Sequence, residues 1–251
     1  MAAEGYDDKF MQYTAESSAY AAHFVTTRLS SVLRVRSVMD VGCARGTWLR
    51  AWIKQGVTDV RGVDGAYVDS SQLEVPPDLF VAHDLSEQFK LGRRFDLVQC
   101  LEVAEHLPPD TSSSLVATLA DHAARYVMFS AAPPGQGGEY HVNERSYEFW
   151  RGLFRQHGFL PFDFLRPMLA NEAAVSFWYR YNIVLYVRED AIPGLEAAVS
   201  ATRIPEAEEI PDVSPPLFRV RKAIVRWLPA PVQDRIARAK ARFAATKFQR
   251  G

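Results

Sequence analysis

An α/β domain, with a largely parallel sheet covered by helices on both faces, is the fold class that this 251-residue sequence predicts. Three observations predict it. Short apolar runs bounded by turn residues alternate with helical patterns, the mark of strand–helix–strand units. A Gly-x-x-x-Gly turn joins the first strand to a helix in Val38-Met-Asp-Val-Gly42-Cys-Ala-Arg-Gly46. Two late strands have no long helix between them, so the sheet ends in an antiparallel pair.

The elements follow in order. Residues 6–34 read as one helix, because no Gly or Pro interrupts them and apolar positions mix with Ser, Thr and Ala. Its Phe10, Tyr13 and Tyr20 serve either as a lid over a ligand or as packing. Residues 37–42 form a short buried strand, and 47–55 an amphipathic helix ended by Gly56. Strands follow at 57–63, 79–82, 95–100 and 125–130, with a helix over 110–124 before the last of them. Residues 146–157 form a helix with Ser146 as N-cap and Gly158 just beyond its end. The late strands span 159–166 and 181–187. Pro205, Pro211, Pro215 and Pro216, among acidic residues, make 203–216 a linker. Two tail helices, 217–228 and 232–248, are split by Pro229 and Pro231. The expected divisions are an N-terminal helical lid at 1–34, the main domain at 35–202, the linker, and a tail at 217–251.

Composition narrows the function. With 48% hydrophobic and 24% charged residues, the chain is not disordered throughout. No apolar run approaches the ~20 residues needed to span a bilayer; the best stretch, 114–134, is broken by Asp121, His122 and Arg125. The first residues lack a basic region followed by an apolar core, and Cys43 and Cys100 read as free thiols, so a cytoplasmic protein is expected. Net charge is −1, yet residues 217–251 hold ten basic side chains and one acid, Asp234. The tail is thus +9 and the body −10. That balance disfavours nucleic acid, which needs a positive track. It fits a tail that contacts an anionic membrane, an acidic partner or a neighbouring subunit. The tail is expected to be separable, so that a chain ending near Pro211 still binds its cofactor.

The glycine turn carries the strongest signal. It lets the backbone approach a ligand, and the helix after it offers free N–H groups to an anion. Asp64 ends the second strand, where doubly wound folds place an acid against ribose hydroxyls. Gly-x-x-x-Gly is not the Gly-x-Gly-x-x-Gly of dinucleotide dehydrogenases.

These residues resemble the class I S-adenosylmethionine-dependent methyltransferases. The matching segments are 38–46, Gly-Val-Asp-Gly (62–65), Ala-His-Asp-Leu (82–85) and Phe-Asp-Leu-Val-Gln-Cys-Leu-Glu-Val-Ala-Glu-His-Leu (95–107). The resemblance covers about residues 35–188. It implies a Rossmann-like seven-stranded sheet, mostly parallel with an antiparallel last strand. It also implies a cofactor site of Asp40, Gly42, Cys43, Gly46, Asp64, Gly65, Asp84, Leu85 and Leu101. Within it, the glycines line the methionine portion, Asp64 holds the ribose, and Asp84 with Leu85 contacts the adenine. Ala44 departs from the family, where many members carry a third glycine.

A second constellation is Glu102-Val-Ala-Glu105-His106, with His141 in the Gly- and Pro-rich stretch after the fifth strand. Carboxylates and imidazoles at the carboxyl ends of adjacent strands suit either a divalent ion or proton transfer. Glu105 and His106 also suit a helix cap, and His141 a loop anchor. Glu-x-x-Glu-His with a downstream His, then Tyr-Glu-Phe-Trp, is similar to the small-RNA 3′-terminal ribose 2′-O-methyltransferases. That similarity implies Mg²⁺ or Mn²⁺ on Glu102, Glu105, His106 and His141, although the RNA-gripping modules are not evident. Pro-Gly-Gln-Gly-Gly, His-Val-Asn and Phe177-Trp-Tyr-Arg-Tyr-Asn-Ile183 are similar to bacterial enzymes of glycan and small-molecule modification. Trp178, Tyr179, Arg180 and Asn182 open the last strand in this reading, either as a sugar-stacking wall or as cover for the sheet edge.

The expected function is O-methylation of a sugar, glycan or small-metabolite hydroxyl, with His141, His106 and Glu105 handling the proton. RNA ribose methylation and a non-catalytic cofactor-binding partner are the alternatives. The intact Glu102, Glu105, His106 and His141 beside the cofactor turn argue against the second of these.

Overall fold

A computed structural model describes residues 8–228 and residue 232, with side chains from residue 18 onward. The side chains of Phe10 and Tyr13 and the expected helix over 232–248, apart from residue 232, lie outside the described residues. Seven strands form one sheet in the order β3-β2-β1-β4-β5-β7-β6. They are β1 (Ser37–Val41), β2 (Asp59–Asp64), β3 (Phe80–Ala82), β4 (Phe95–Leu101), β5 (Ala123–Ser130), β6 (Phe159–Phe162) and β7 (Val184–Arg188). The first five run parallel, and β7 inserts antiparallel between β5 and β6.

Alternation along the strands divides the core in two. Val38, Leu97, Tyr126, Met128 and Leu185 face one layer, built from α1 (Asp8–Val32), α2 (Thr47–Lys54), α5 (Leu165–Leu169) and α6 (Phe177–Asn182). Their neighbours Met39, Val98, Val127, Phe129 and Tyr186 face the other, built from α3 (Ser112–His122) and α4 (Tyr147–Gln156). α1 buries Ala21, Ala22, Val25 and Leu29 fully, and Ser18 Oγ lies 3.0 Å from the Tyr179 hydroxyl. The described part of the N-terminal helix is therefore packed. Ser146 caps α4 as expected, its Oγ accepting from Phe149 N at 3.2 Å.

The late region differs from expectation. Residues 177–182 form helix α6, and the last strand begins only at Val184. Tertiary contacts override the β-preference of this aromatic run. Tyr179 packs edge-on against Trp48, while Phe177 and Tyr181 pack against Phe218. One helical turn presents the rings to both neighbours; a strand points alternate rings to opposite faces of the sheet. Likewise β6 stops at Phe162, and residues 165 and 166, expected to extend it, lie in α5.

Segment 203–216 follows α7 (Ala197–Ser200). Apart from the start of a helix at Pro216 it has no helix or strand, yet it is strapped to the body. Ile204 and Ile210 join the second core layer. Arg151 donates to the carbonyls of Pro205 and Glu208, Glu148 accepts from Ile210 N, and buried Arg166 donates to Pro211 O. The strap leads into α8 (Pro216–Val225), where Lys222 Nζ pairs with Asp212 at 2.6 Å and Arg221 donates to Gln136 O at 3.0 Å. The beginning of the tail is thereby an integral part of the body, because the strap places it against the loop after β5.

Candidate active site

The turn after β1 is tied to the end of β2. Gly42 N donates to Val63 O and Ala44 N to Asp64 Oδ2, at 2.8 and 2.7 Å. Gly42 and Gly46 have φ of 81° and 83°, which glycine adopts without strain. Ala44 takes φ 46° in the same turn, a left-handed conformation that this alanine adopts. Asp64 is buried, and its Oδ1 accepts from Gly65 N and, at 2.5 Å, from the Tyr67 hydroxyl. Tyr67, itself an exposed residue, thus sets its hydroxyl on a buried carboxylate at the end of β2.

The other residues of that expected set are placed as follows. Cys43 and Leu101 are buried, with Cys43 Sγ turned toward Gly62, and their side chains belong to the core. Leu85 packs in the second core layer. Asp84 is exposed and accepts from Ser86 N and Oγ, which hold its carboxyl below the usual range. Asp40 is buried beneath the turn, and burial pushes its carboxyl up to about 7, with Gln99 opposing and Asp64 adding.

Asp40 gives a pH-dependent stability. The folded state favours the protonated form, so this contribution is complete below about pH 4 and is lost as pH rises through 7. Asp40→Asn, neutral throughout, is expected to be the more stable protein at pH 8 by about 2–4 kcal/mol. Melting curves between pH 5 and 8 that run parallel for both proteins would refute this.

The second constellation forms at the ends of β4 and β5. Glu102 takes the left-handed conformation, φ 55°, directly after β4. Its Oε1 accepts from Asn182 Nδ2 at 3.2 Å, and Asn182 also donates to Gln136 Oε1. Glu105 is fully buried. Its backbone oxygen accepts from Val142 N and Asn143 N, and its Oε1 from Ala132 N. These bonds stitch the loop after β5 onto the turn after β4 and bring His141 over His106, with ring centroids 4.9 Å apart. Burial, then the Glu102 charge, drives the Glu105 carboxyl well above its ordinary value. Its Oε2 has no hydrogen-bond partner among the described residues. Burial lowers His106 to about 4, so it is a neutral imidazole.

His141 has a partner that sequence reasoning missed. Glu144 Oε1 lies 2.9 Å from His141 Nδ1 and also accepts from Gly137 N, while its Oε2 accepts from Gly135 N. One carboxylate therefore folds the loop and fixes the histidine tautomer, leaving Nε2 as the acceptor. A Cβ at position 138 would stand 2.1 Å from that nitrogen, so glycine there keeps it open. The His-x-x-Glu spacing was the available signal. Gln136 and Asn182 were legible only as part of longer motifs, because their pairing spans 46 residues.

The ligand atoms of Glu105, His106 and His141 lie within 4.8 Å of one another. Glu102, the fourth expected ligand, falls outside that group.

Comparisons with known proteins agree with this fold. A family model described as a methyltransferase domain matches residues 12–168. No curated protein sequence matches the chain. Among solved structures, Streptomyces venezuelae DesVI is similar, with 14% identity, TM-score 0.56, and coverage of 72% of this chain and 96% of that one. Magnesium protoporphyrin IX methyltransferase from Synechocystis PCC 6803, with bound S-adenosylmethionine, shares 20% identity at TM-score 0.52, covering 74% and 86%. An amino pentose methyltransferase from Micromonospora echinaspora shares 16% at TM-score 0.52, covering 73% and 98%. With its seven-stranded sheet, its glycine turn tied to Asp64 and a family match over most of its length, the chain belongs to the methyltransferase domain family and is an S-adenosylmethionine-dependent methyltransferase.

Proposed function

We propose that the protein transfers a methyl group to a hydroxyl of a sugar or small metabolite, with His141 as general base. The Glu144–His141 pair carries this reading. An alcohol is a poor nucleophile while protonated and must lose its proton as it attacks, so its methylation calls for a base. A histidine held by a carboxylate at Nδ1 is built to receive that proton at Nε2. Sugar methyltransferases stand among the structural relatives, one of them a sugar N-methyltransferase, so they support a sugar and not the choice of hydroxyl.

When bound, S-adenosylmethionine supplies an electrophilic methyl on sulfur. Gly42, Gly46 and the backbone of 42–46 would hold its amino-acid portion, and Asp64 would hold its ribose in place of the Tyr67 hydroxyl. Asp64→Ala is expected to weaken S-adenosylmethionine binding by about 1–3 kcal/mol. Calorimetry that finds undiminished affinity in a folded Asp64→Ala protein would reject the site. On the acceptor side, Glu102, Asn182 and Gln136 orient the hydroxyl, and neutral His106 packs against the His141 ring.

A second reading has a specific basis in the cluster of Glu105, His106 and His141. Its donor set, one carboxyl and two imidazoles, suits Mn²⁺ or Mg²⁺ once Glu105 gives up its proton. An ion there would acidify a bound hydroxyl. The deciding experiment is a screen of labelled methyl transfer onto nucleotide sugars, glycans, small phenols and short RNAs, with and without chelator. Transfer to a sugar or metabolite hydroxyl in chelator supports the base. Loss in chelator, restored by Mn²⁺ or Mg²⁺, supports the ion, and transfer only to an amine or only to RNA rejects the acceptor class.

A further inference from the structure

α8 has two working faces. The inner one buries Lys222 and Val225 and sets Phe218 against Phe177 and Tyr181. On the outer one, Leu217, Val220, Ile224 and Trp227, just past the helix end, are 86%, 58%, 60% and 80% exposed. Their spacing of three, four and three residues places them within an arc of about 80° at 100° per residue. Single exposed apolar residues are ordinary, but four large ones in one stripe form a contact surface.

The surrounding charge selects the partner. Arg219 and Arg226 are exposed on the same segment, and residues 217–251 hold ten basic side chains against Asp234. The matching surface must be apolar and rimmed with negative charge. The body of a second copy supplies the charge but not the apolar area. Its large exposed apolar side chains outside the stripe, among the described residues, are Tyr20, Ile53, Tyr67, Tyr140, Val142 and Val213, with Val232 in the tail, spread over separate parts of the chain. An anionic bilayer supplies both. No helix among the described residues is long and apolar enough to cross a membrane, so contact would lie in the plane of the surface.

We propose that α8 docks the enzyme on an anionic membrane, with the stripe at the level of the acyl boundary and the arginines among the headgroups. Trp227 suits that boundary, since its ring is apolar with a polar edge. The inner face of the same helix holds Gln136 through Arg221, so docking sets the acceptor loop beside the bilayer. The inference is independent of which acceptor the enzyme uses.

Full-length protein should be sedimented with phosphatidylcholine vesicles containing about one-quarter phosphatidylglycerol, and with phosphatidylcholine alone. Binding to the anionic vesicles should be at least about tenfold tighter and should weaken as salt rises. Ile224→Glu/Trp227→Glu should reduce it about tenfold or more with an unchanged melting midpoint. Leu217→Glu/Val220→Glu is the second variant should the first not fold. Absence of binding overturns the proposal. So does binding that both variants retain, which would reflect tail charge alone. A dimer in vesicle-free buffer that the variants dissociate, with no vesicle binding, would assign the stripe to a second copy.

Discussion

His141→Ala is expected to lower kcat by ~10²–10⁴-fold while leaving S-adenosylmethionine affinity within about twofold. The asymmetry follows from position. His141 stands on the loop after β5, whereas the turn that would receive the cofactor is tied to β2 through Asp64 and Val63. The variant still folds its loop, because Glu144 keeps both of its bonds to Gly135 N and Gly137 N. Steady-state kinetics on the acceptor found by screening, with calorimetry for the cofactor, separates the two effects. A kcat within about threefold of the parent would remove His141 from proton transfer.

Gly135→Ala should be the most disruptive single-methyl change in the acceptor loop. Gly135 has φ 81°, and a Cβ there would stand 2.1 Å from the backbone oxygen of Lys222. That obstacle is helix backbone rather than the end of a mobile side chain, so either α8 or the loop must move. A loss of at least about 2 kcal/mol is expected, from positive-φ strain together with lost packing, along with a large fall in kcat. Gly92→Ala is the control: φ is 70°, but nothing lies within 4 Å. It carries the backbone strain alone, about 1 kcal/mol. Equal denaturation midpoints for the two variants would show that α8 does not press on the loop.

Much of this molecule was legible in its sequence, and the reasons are local. The glycine turn, Asp64 and the Ser146 cap are set by residues within one supersecondary unit, where backbone conformation dictates residue type. The parallel strands announced themselves as apolar runs. Residues 177–182 did not, because their aromatics favour a strand until Trp48 and Phe218 are placed on either side of them. Glu144 went unnoticed as a partner of His141 since a charged residue in a loop is ordinarily solvated. The strap at 203–216 shows the same limit. Its prolines forbid regular structure, and only the buried guanidinium groups of Arg151 and Arg166 show where it is held.

The strap and α8 also bear on the order in which the enzyme comes into being. Translation delivers the sheet, the cofactor turn and all the histidines and carboxylates of the site before residue 203. The lock on the acceptor loop, Arg221 on Gln136 and Lys222 over Gly135, emerges after all of these. A nascent chain can therefore close its core domain by domain-scale folding while its acceptor loop still lacks that brace. Competence for transfer is then a late event in synthesis. A chain cut just before α8 would hold the sheet and the site's residues with the loop unbraced.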